Sequence, residues 1–276
     1  MDGMTGRRED RVPLCQRRRS STPSLQTFDG LEVRLPQKIT IFANQIKPIM
    51  EKKEFYRRHL PHFQQPGQAY FVTWCIKDAV PPKALESYSK QLKELNNKID
   101  SAISRKTDDK IINELKFEYS KIRKKYLKAY DDLLHLQTEF IVDLSKDENT
   151  QTVINALCFW EGKKLENYAL CVMSNHVHWV FRVFDKDENC ESAYLQDILK
   201  SVKQFSANGI NKLENRTGSL WHNESFDTTI RDNLHLYNAI NYTIKNPIAA
   251  GLVKDWREWK GTRLFLGRRE DGVPLR

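Results

Sequence analysis

Paired cysteines are missing from this chain. Cys15, Cys75, Cys158, Cys171 and Cys190 are scattered, with no CxxC spacing. That pattern argues against a disulfide framework and for free thiols in a reducing compartment. Long apolar runs are missing too: nothing approaches the roughly 20 residues of a membrane span, and the N-terminus has no apolar signal region. The expectation is a soluble, cytoplasmic protein with no membrane partner. Acidic residues are in deficit, with Asp+Glu 36 against Lys+Arg 45 and a net charge of +9, a balance that favours a polyanionic partner. What is present supports a core: 39% hydrophobic and 11% aromatic residues over 276 positions, enough for one large domain or a domain with an appendage.

Residues 1–50 carry Arg7, Arg8, Arg11, Arg17, Arg18 and Arg19 among Ser, Thr, Pro and Gln, and read as a disordered basic tail. Residues 51–265 read as one domain, and 266–276 as a second tail. The segment Gly6–Leu14 reappears almost letter for letter as Gly267–Leu275. Two distant copies do not make a solenoid, which needs several adjacent repeats. Our hypothesis is that the reading frame runs into a DNA repeat on both sides of the gene; flanking sequence without that repeat would remove it.

Gln68–Ile76 is rich in β-branched and aromatic residues and follows Pro66-Gly67, so a strand is expected. Leu85, Tyr88, Leu92, Leu95, Ile99 and Ile103, then Ile112, Leu115, Tyr119, Ile122, Tyr126, Ala129 and Leu133, recur at three- and four-residue spacing on either side of a polar break. They predict an antiparallel helical hairpin inserted at about 84–135, a packing arm or a means for two chains to pair as a homodimer. Further elements are expected at Thr150–Trp160 (helix), Glu166–Met173 and His176–Phe184 (strands), Ala193–Leu213 (helix), Leu220–Ile230 (strand) and Asn233–Asn246, a helix interrupted by Pro247. Without the insert, the order is that of a ferredoxin-like βαββαβ core, an α+β fold with an antiparallel sheet and one added C-terminal helix.

Chemistry concentrates in His176-Val177-His178. A strand places residues i and i+2 on one face, so both imidazoles project together while Val177, Trp179, Phe181 and Val183 face the other way. Two polar rings on an apolar strand need partners. Structural zinc, with Cys171 as a third ligand, lacks a second Cys or His at the usual spacing. The alternative is Mg²⁺ or Mn²⁺ held by the two imidazoles and a side-chain oxygen, for which Asn246 is the candidate. In a helix Tyr242 shares a face with Asn246, so a cation held there would lie near the tyrosine hydroxyl and make its attack on a phosphodiester feasible. Pro247 opposes helical geometry at Asn246. Glu224 and Asp227 could join such a site as further oxygen ligands, but are not among the residues expected to hold the ion. Arg182, Lys200, Lys203 and Lys212 are candidate phosphate contacts, and Trp256 and Trp259 could stack on unpaired bases or fill the C-terminal core.

Met173–Phe181 (Met-Ser-Asn-His-Val-His-Trp-Val-Phe) resembles the HUH motif of single-tyrosine transposases. Tyr242–Val253 resembles the Tyr-Ile-x-x-Asn-Pro-Val-x-Ala-Gly-Leu-Val signature of REP-associated tyrosine transposases, and Pro61-His62 before Tyr70–Trp74 resembles that family's opening strand. Ser174 replaces the usual Pro, Thr243 an Ile and Ile248 a Val; the helical insert and the arginine-rich tail are larger departures. The resemblance implies a bacterial, nucleoid-associated enzyme. His176 and His178 would be metal ligands and Tyr242 the nucleophile that becomes 5′-phosphotyrosyl-linked while cutting single-stranded DNA folded as palindromic hairpins. No nucleotide cofactor is implied. A domesticated hairpin-binding protein without cleavage activity and a structural-zinc interaction protein are the alternatives.

Overall fold

The structure is a computed structural model that describes residues 24–28, 31–35, 55–57, 61–63, 65–81, 83–136, 140–187 and 189–265. Two short antiparallel hairpins come first: β1 (Ser24–Phe28) with β2 (Leu31–Leu35), and β3 (Phe55–Arg57) with β4 (Pro61–Phe63). The first lies inside the stretch expected to be a disordered tail, which corrects that expectation for these ten positions. The two copies of the terminal repeat lie outside the described residues.

The body is a five-stranded antiparallel sheet of β5 (Ala69–Cys75), β6 (Leu165–Val172), β7 (His176–Val183), β8 (Phe226–Thr229) and β9 (Thr262–Leu264), in the order β8-β5-β7-β6-β9. The first four strands give the order 4-1-3-2 of a ferredoxin-like sheet. β5 and β6 both run antiparallel to β7 between them, so they are parallel to each other and need a crossover. That crossover holds the insert, α1 (Glu86–Ser104) and α2 (Asp109–Leu136), followed by α3 (Asp147–Cys158). α4 (Leu195–Leu213) joins β7 to β8, and α5 (Asn233–Ala249) follows β8.

Strand alternation divides the interior into two layers. Val177, Trp179, Phe181 and Val183, all fully buried, join Leu195, Ile198, Leu199 and Val202 of α4 and Val153 and Leu157 of α3 in the larger core. Val180 faces the other way, into a smaller core with Leu236, Ile240 and Ile244 of α5. The histidines share the Val180 side. The larger core is anchored by Trp179, whose ring stacks on Phe181 at 3.7 Å and whose Nε1 donates to Asn167 Oδ1 at 2.6 Å.

Two elements differ from the sequence expectation. The strand expected at Leu220–Ile230 shrinks to Phe226–Thr229, because Trp221 makes only an isolated bridge to Ile76 and turns its indole inward to donate to Ser206. The helix expected to break at Pro247 continues through it to Ala249. Proline lacks only one helical donor, and the Ala250 and Gly251 amides close the end on Asn246 and Ile248 carbonyls at 2.9 Å each. Asn246 therefore stays one turn below Tyr242. No helix among the described residues is long and apolar enough to cross a membrane.

Candidate metal and tyrosine site

His176 and His178 emerge from the start of β7 with their Nε2 atoms 3.0 Å apart. Each ring is fixed from behind. Asn175 Nδ2 donates to the Leu134 carbonyl at 2.9 Å, which turns Asn175 Oδ1 toward His176 Nδ1 at 2.6 Å. An amide oxygen only accepts, so His176 carries its proton on Nδ1 and directs a lone pair from Nε2. His178 Nδ1 meets the Thr73 hydroxyl at 2.8 Å, a partner that suits either tautomer. This is the backing that metal-ligating imidazoles receive from their surroundings.

Burial disfavours charge on both rings. It pushes the His178 imidazole down to about 4, with the Asp131 carboxylate opposing the shift. It holds His176 well below its usual range, and His178 and His135 add to the effect. Both rings are thus neutral and available as donors at neutral pH.

α5 brings the other two groups. Asn246 is 1% exposed, and its amide interacts with both imidazoles. Asn246 Nδ2 makes no hydrogen bond among the described residues. The Tyr242 ring sits edge-on to His178 at 5.3 Å and to Phe71 at 5.7 Å, and Phe71 in turn stacks on His178 at 5.8 Å. Tyr242 is 40% exposed, so its ring, set against His178, is open to solvent and not sealed in packed interior. Burial of part of the ring, then the Asp131 carboxylate, raise the phenol above its ordinary range. Solvent reaching the open part of the ring weakens that rise without reversing it.

The insert contributes residues that the sequence reading missed. His135, in the last turn of α2, approaches Asn246 Oδ1 through Nε2 at 3.3 Å and places its ring 5.8 Å from His176. Because Oδ1 is the acceptor, His135 is the donor, and the bond orients the amide. Asp131, one turn earlier, carries the carboxylate whose charge raises the Tyr242 phenol. The only signal for either was an i, i+4 acid and histidine at the end of an otherwise lysine-rich helix.

Other candidates lie elsewhere. Cys171 pairs with His178 in register, but its thiol lies against Met173 and Thr262 and burial pushes it up to about 12, which suits a packed thiol better than a zinc ligand. Asp227 lies opposite Val72, on the larger-core side of the sheet, and Glu224 borders a cavity of about 350 Å³ lined also by Lys200, Lys203 and Trp221. Neither joins the histidines. α4 packs in the larger core, so its Lys200, Lys203 and Lys212 lie across the sheet from Tyr242; Lys200 and Lys212 are exposed. Lys203 departs from the phosphate-contact expectation, since its ammonium donates to the His222 and Glu224 carbonyls and to Ser225. Arg182 shares the histidine face but is half-buried and donates to the Gly67 carbonyl at 3.2 Å. Trp256 is buried against α5 in the smaller core, and Trp259 Nε1 donates to the Val172 carbonyl at 2.8 Å, so both read as packing residues.

Among the described residues no three His, Cys, Asp or Glu side chains group as cation ligands; the donors that meet are two imidazoles and one amide. Two imidazoles and an amide oxygen, with no thiolate among them, suit a divalent ion such as Mg²⁺ or Mn²⁺.

No protein-family model matches the chain. It is 24% identical over 106 residues to a Haemophilus influenzae protein provisionally named a REP-associated tyrosine transposase, a match covering 36% of this chain. The chain spans 58% of that relative's length. A solved structure of a REP-associated tyrosine transposase bound to a REP hairpin aligns over 75% of this chain and 80% of that one, at 12% identity and a TM-score of 0.37, a level that does not by itself establish a shared fold. In sequence, the chain is similar to a REP-associated tyrosine transposase.

Proposed function

We propose that this chain is a metal-dependent strand transferase of the HUH type that cuts single-stranded DNA at palindromic, REP-like hairpins, with Tyr242 as nucleophile. The observation that carries the reading is the placement of a half-exposed tyrosine 5.3 Å from one of two imidazoles whose Nε2 atoms converge at 3.0 Å. The Haemophilus relative, by its name, supports the same class.

His176, His178 and Asn246 would hold Mg²⁺ or Mn²⁺. Bound there, the cation supplies Lewis-acid polarisation of the scissile phosphate. The chain's own residues do the rest. Thr73 and Asn175 hold the imidazoles in place, and α5 holds Tyr242 at the distance of one helical turn from Asn246. Tyr242 Oη forms a bond to phosphorus as the bond from phosphorus to the 3′-oxygen breaks, leaving a 5′-phosphotyrosine and a free 3′-OH. The covalent link keeps the phosphodiester's bond energy for rejoining.

The test uses purified protein with Mn²⁺ and a tiled set of labelled single-stranded oligonucleotides copied from both strands of the DNA flanking its gene. A protein–DNA adduct stable to denaturing gels is expected. Tyr242→Phe abolishes the adduct while keeping binding, and His176→Ala abolishes the metal response. Adduct formation by Tyr242→Phe would sink the assignment; binding with no adduct from the unaltered chain would favour a hairpin-binding protein without cleavage.

A further inference from the structure

We infer that Phe71, on β5, is a positioning residue for Tyr242: its ring closes the tyrosine against His178 and so holds the nucleophile where it can attack. The inference rests on the strand-cutting reading and deepens it.

β5 meets the site through two residues on one face. Thr73 lies opposite His178 in the antiparallel register, and its hydroxyl meets His178 Nδ1 at 2.8 Å. Phe71, two residues earlier, lies opposite Val180 and so faces the smaller core, against which it packs half-buried. Its ring stacks on His178 at 5.8 Å with 24° between the planes, and meets Tyr242 edge-on at 5.7 Å and 75°. Tyr242 in turn meets His178 edge-on at 5.3 Å and 81°. Three rings thus close a triangle, each side within the roughly 4.5–7 Å over which aromatic pairs attract.

Tyr242 needs such a bracket. α5 fixes its backbone, but the residue is 40% exposed, and an exposed side chain changes rotamer within nanoseconds. Attack requires the oxygen to stand about 3–3.5 Å from phosphorus with its orbitals aligned. Asn175 and Thr73 hold the imidazoles through their nitrogens; Phe71 holds the phenol through the plane of its ring. A leucine at 71 would keep the apolar contact with the smaller core but offers no flat face. Losing one ring pair changes the population of a conformer by about 2- to 12-fold.

The test has two readouts. The first is single-turnover adduct formation with the same oligonucleotides at saturating DNA and Mn²⁺. Phe71→Leu is expected to slow attachment about tenfold. Its affinities for DNA and Mn²⁺ should stay within roughly two-fold of the unaltered chain, and Phe71→Tyr, which keeps the ring, should attach at nearly the unaltered rate. The second readout is fluorine NMR of the DNA-free protein carrying 3-fluorotyrosine, with the Tyr242 resonance identified by its loss in Tyr242→Phe. Ring currents from Phe71 and His178 displace that resonance, and Phe71→Leu should move it toward the position of free 3-fluorotyrosine.

An unchanged attachment rate or an unmoved resonance in Phe71→Leu overturns the positioning role. So does a slow rate that tracks weaker Mn²⁺ binding, which would mean that Phe71 serves the His178 ligand instead. Absence of adduct from the unaltered chain overturns the strand-cutting reading, and the fluorine resonance then still decides whether Phe71 holds Tyr242.

Discussion

At the scale of single residues, the site depends on neutral groups held in place by other neutral groups. Asn175 shows the economy of this: one amide donates to α2 through Nδ2 and accepts from His176 through Oδ1. Removing it frees the imidazole to rotate and to exchange tautomers. Asn175→Ala is expected to weaken Mn²⁺ binding about 10- to 100-fold, the usual cost of losing an outer partner of a ligating histidine. Isothermal titration calorimetry of the folded variant checks this, and unchanged affinity would show that Asn175 has no part in orienting the ring. Thr73→Val should have the same sign, because His178 Nδ1 loses its hydroxyl partner.

At the scale of elements, what could be read from sequence follows from local periodicity. The His176–Val183 strand, its two-faced burial and the helical hairpin are all legible because strand and helix periods are written along the chain itself. The ferredoxin-like order follows from chaining those elements. His135 is not legible, because its role depends on where α2 comes to rest, over a hundred residues from Asn246 in sequence. Nor is the path of α5 through Pro247, where packing of Ile240 and Ile244 against β6 and β7 outweighs one missing donor. Lys203 escapes a sequence reading for a related reason: a lysine's partners are set by a distant loop, here His222–Ser225.

The resting place of α2 can be tested on its own. Tyr130 is 4% exposed, packs on Phe226 at 4.4 Å and donates to Cys75. Tyr130→Ala should destabilise by about 3–5 kcal/mol, the usual cost of deleting a buried aromatic ring. Because α2 carries His135, Mn²⁺ affinity should fall in the folded fraction as well. Denaturant midpoints together with calorimetry separate the two effects; lost stability with intact metal binding would mean that α2 is anchored to the site by its other ties alone.

At the scale of the whole molecule, the sheet separates two kinds of work. One face, closed by α5 and the end of α2, holds the histidines and the tyrosine. The other, closed by α3 and α4, holds the larger core, with Trp179 fully buried at its centre. Exposed Lys200 and Lys212 stand on that second side, and the chain carries a net charge of +9. A folded DNA hairpin bends over more surface than one scissile phosphate occupies, so cations remote from Tyr242 can contribute to binding without touching the chemistry. Replacing Lys200 and Lys212 together by Ala is expected to reduce the slope of log affinity against log salt by about 1.4, at roughly 0.7 for each phosphate no longer neutralised. Adduct formation at saturating DNA should stay unchanged, since neither side chain lies on the Tyr242 side of the sheet. Fluorescence anisotropy across a salt series measures the slope. An unaltered slope would place the hairpin wholly on the α5 side, and a slower adduct at saturation would mean that the two faces are coupled through the sheet.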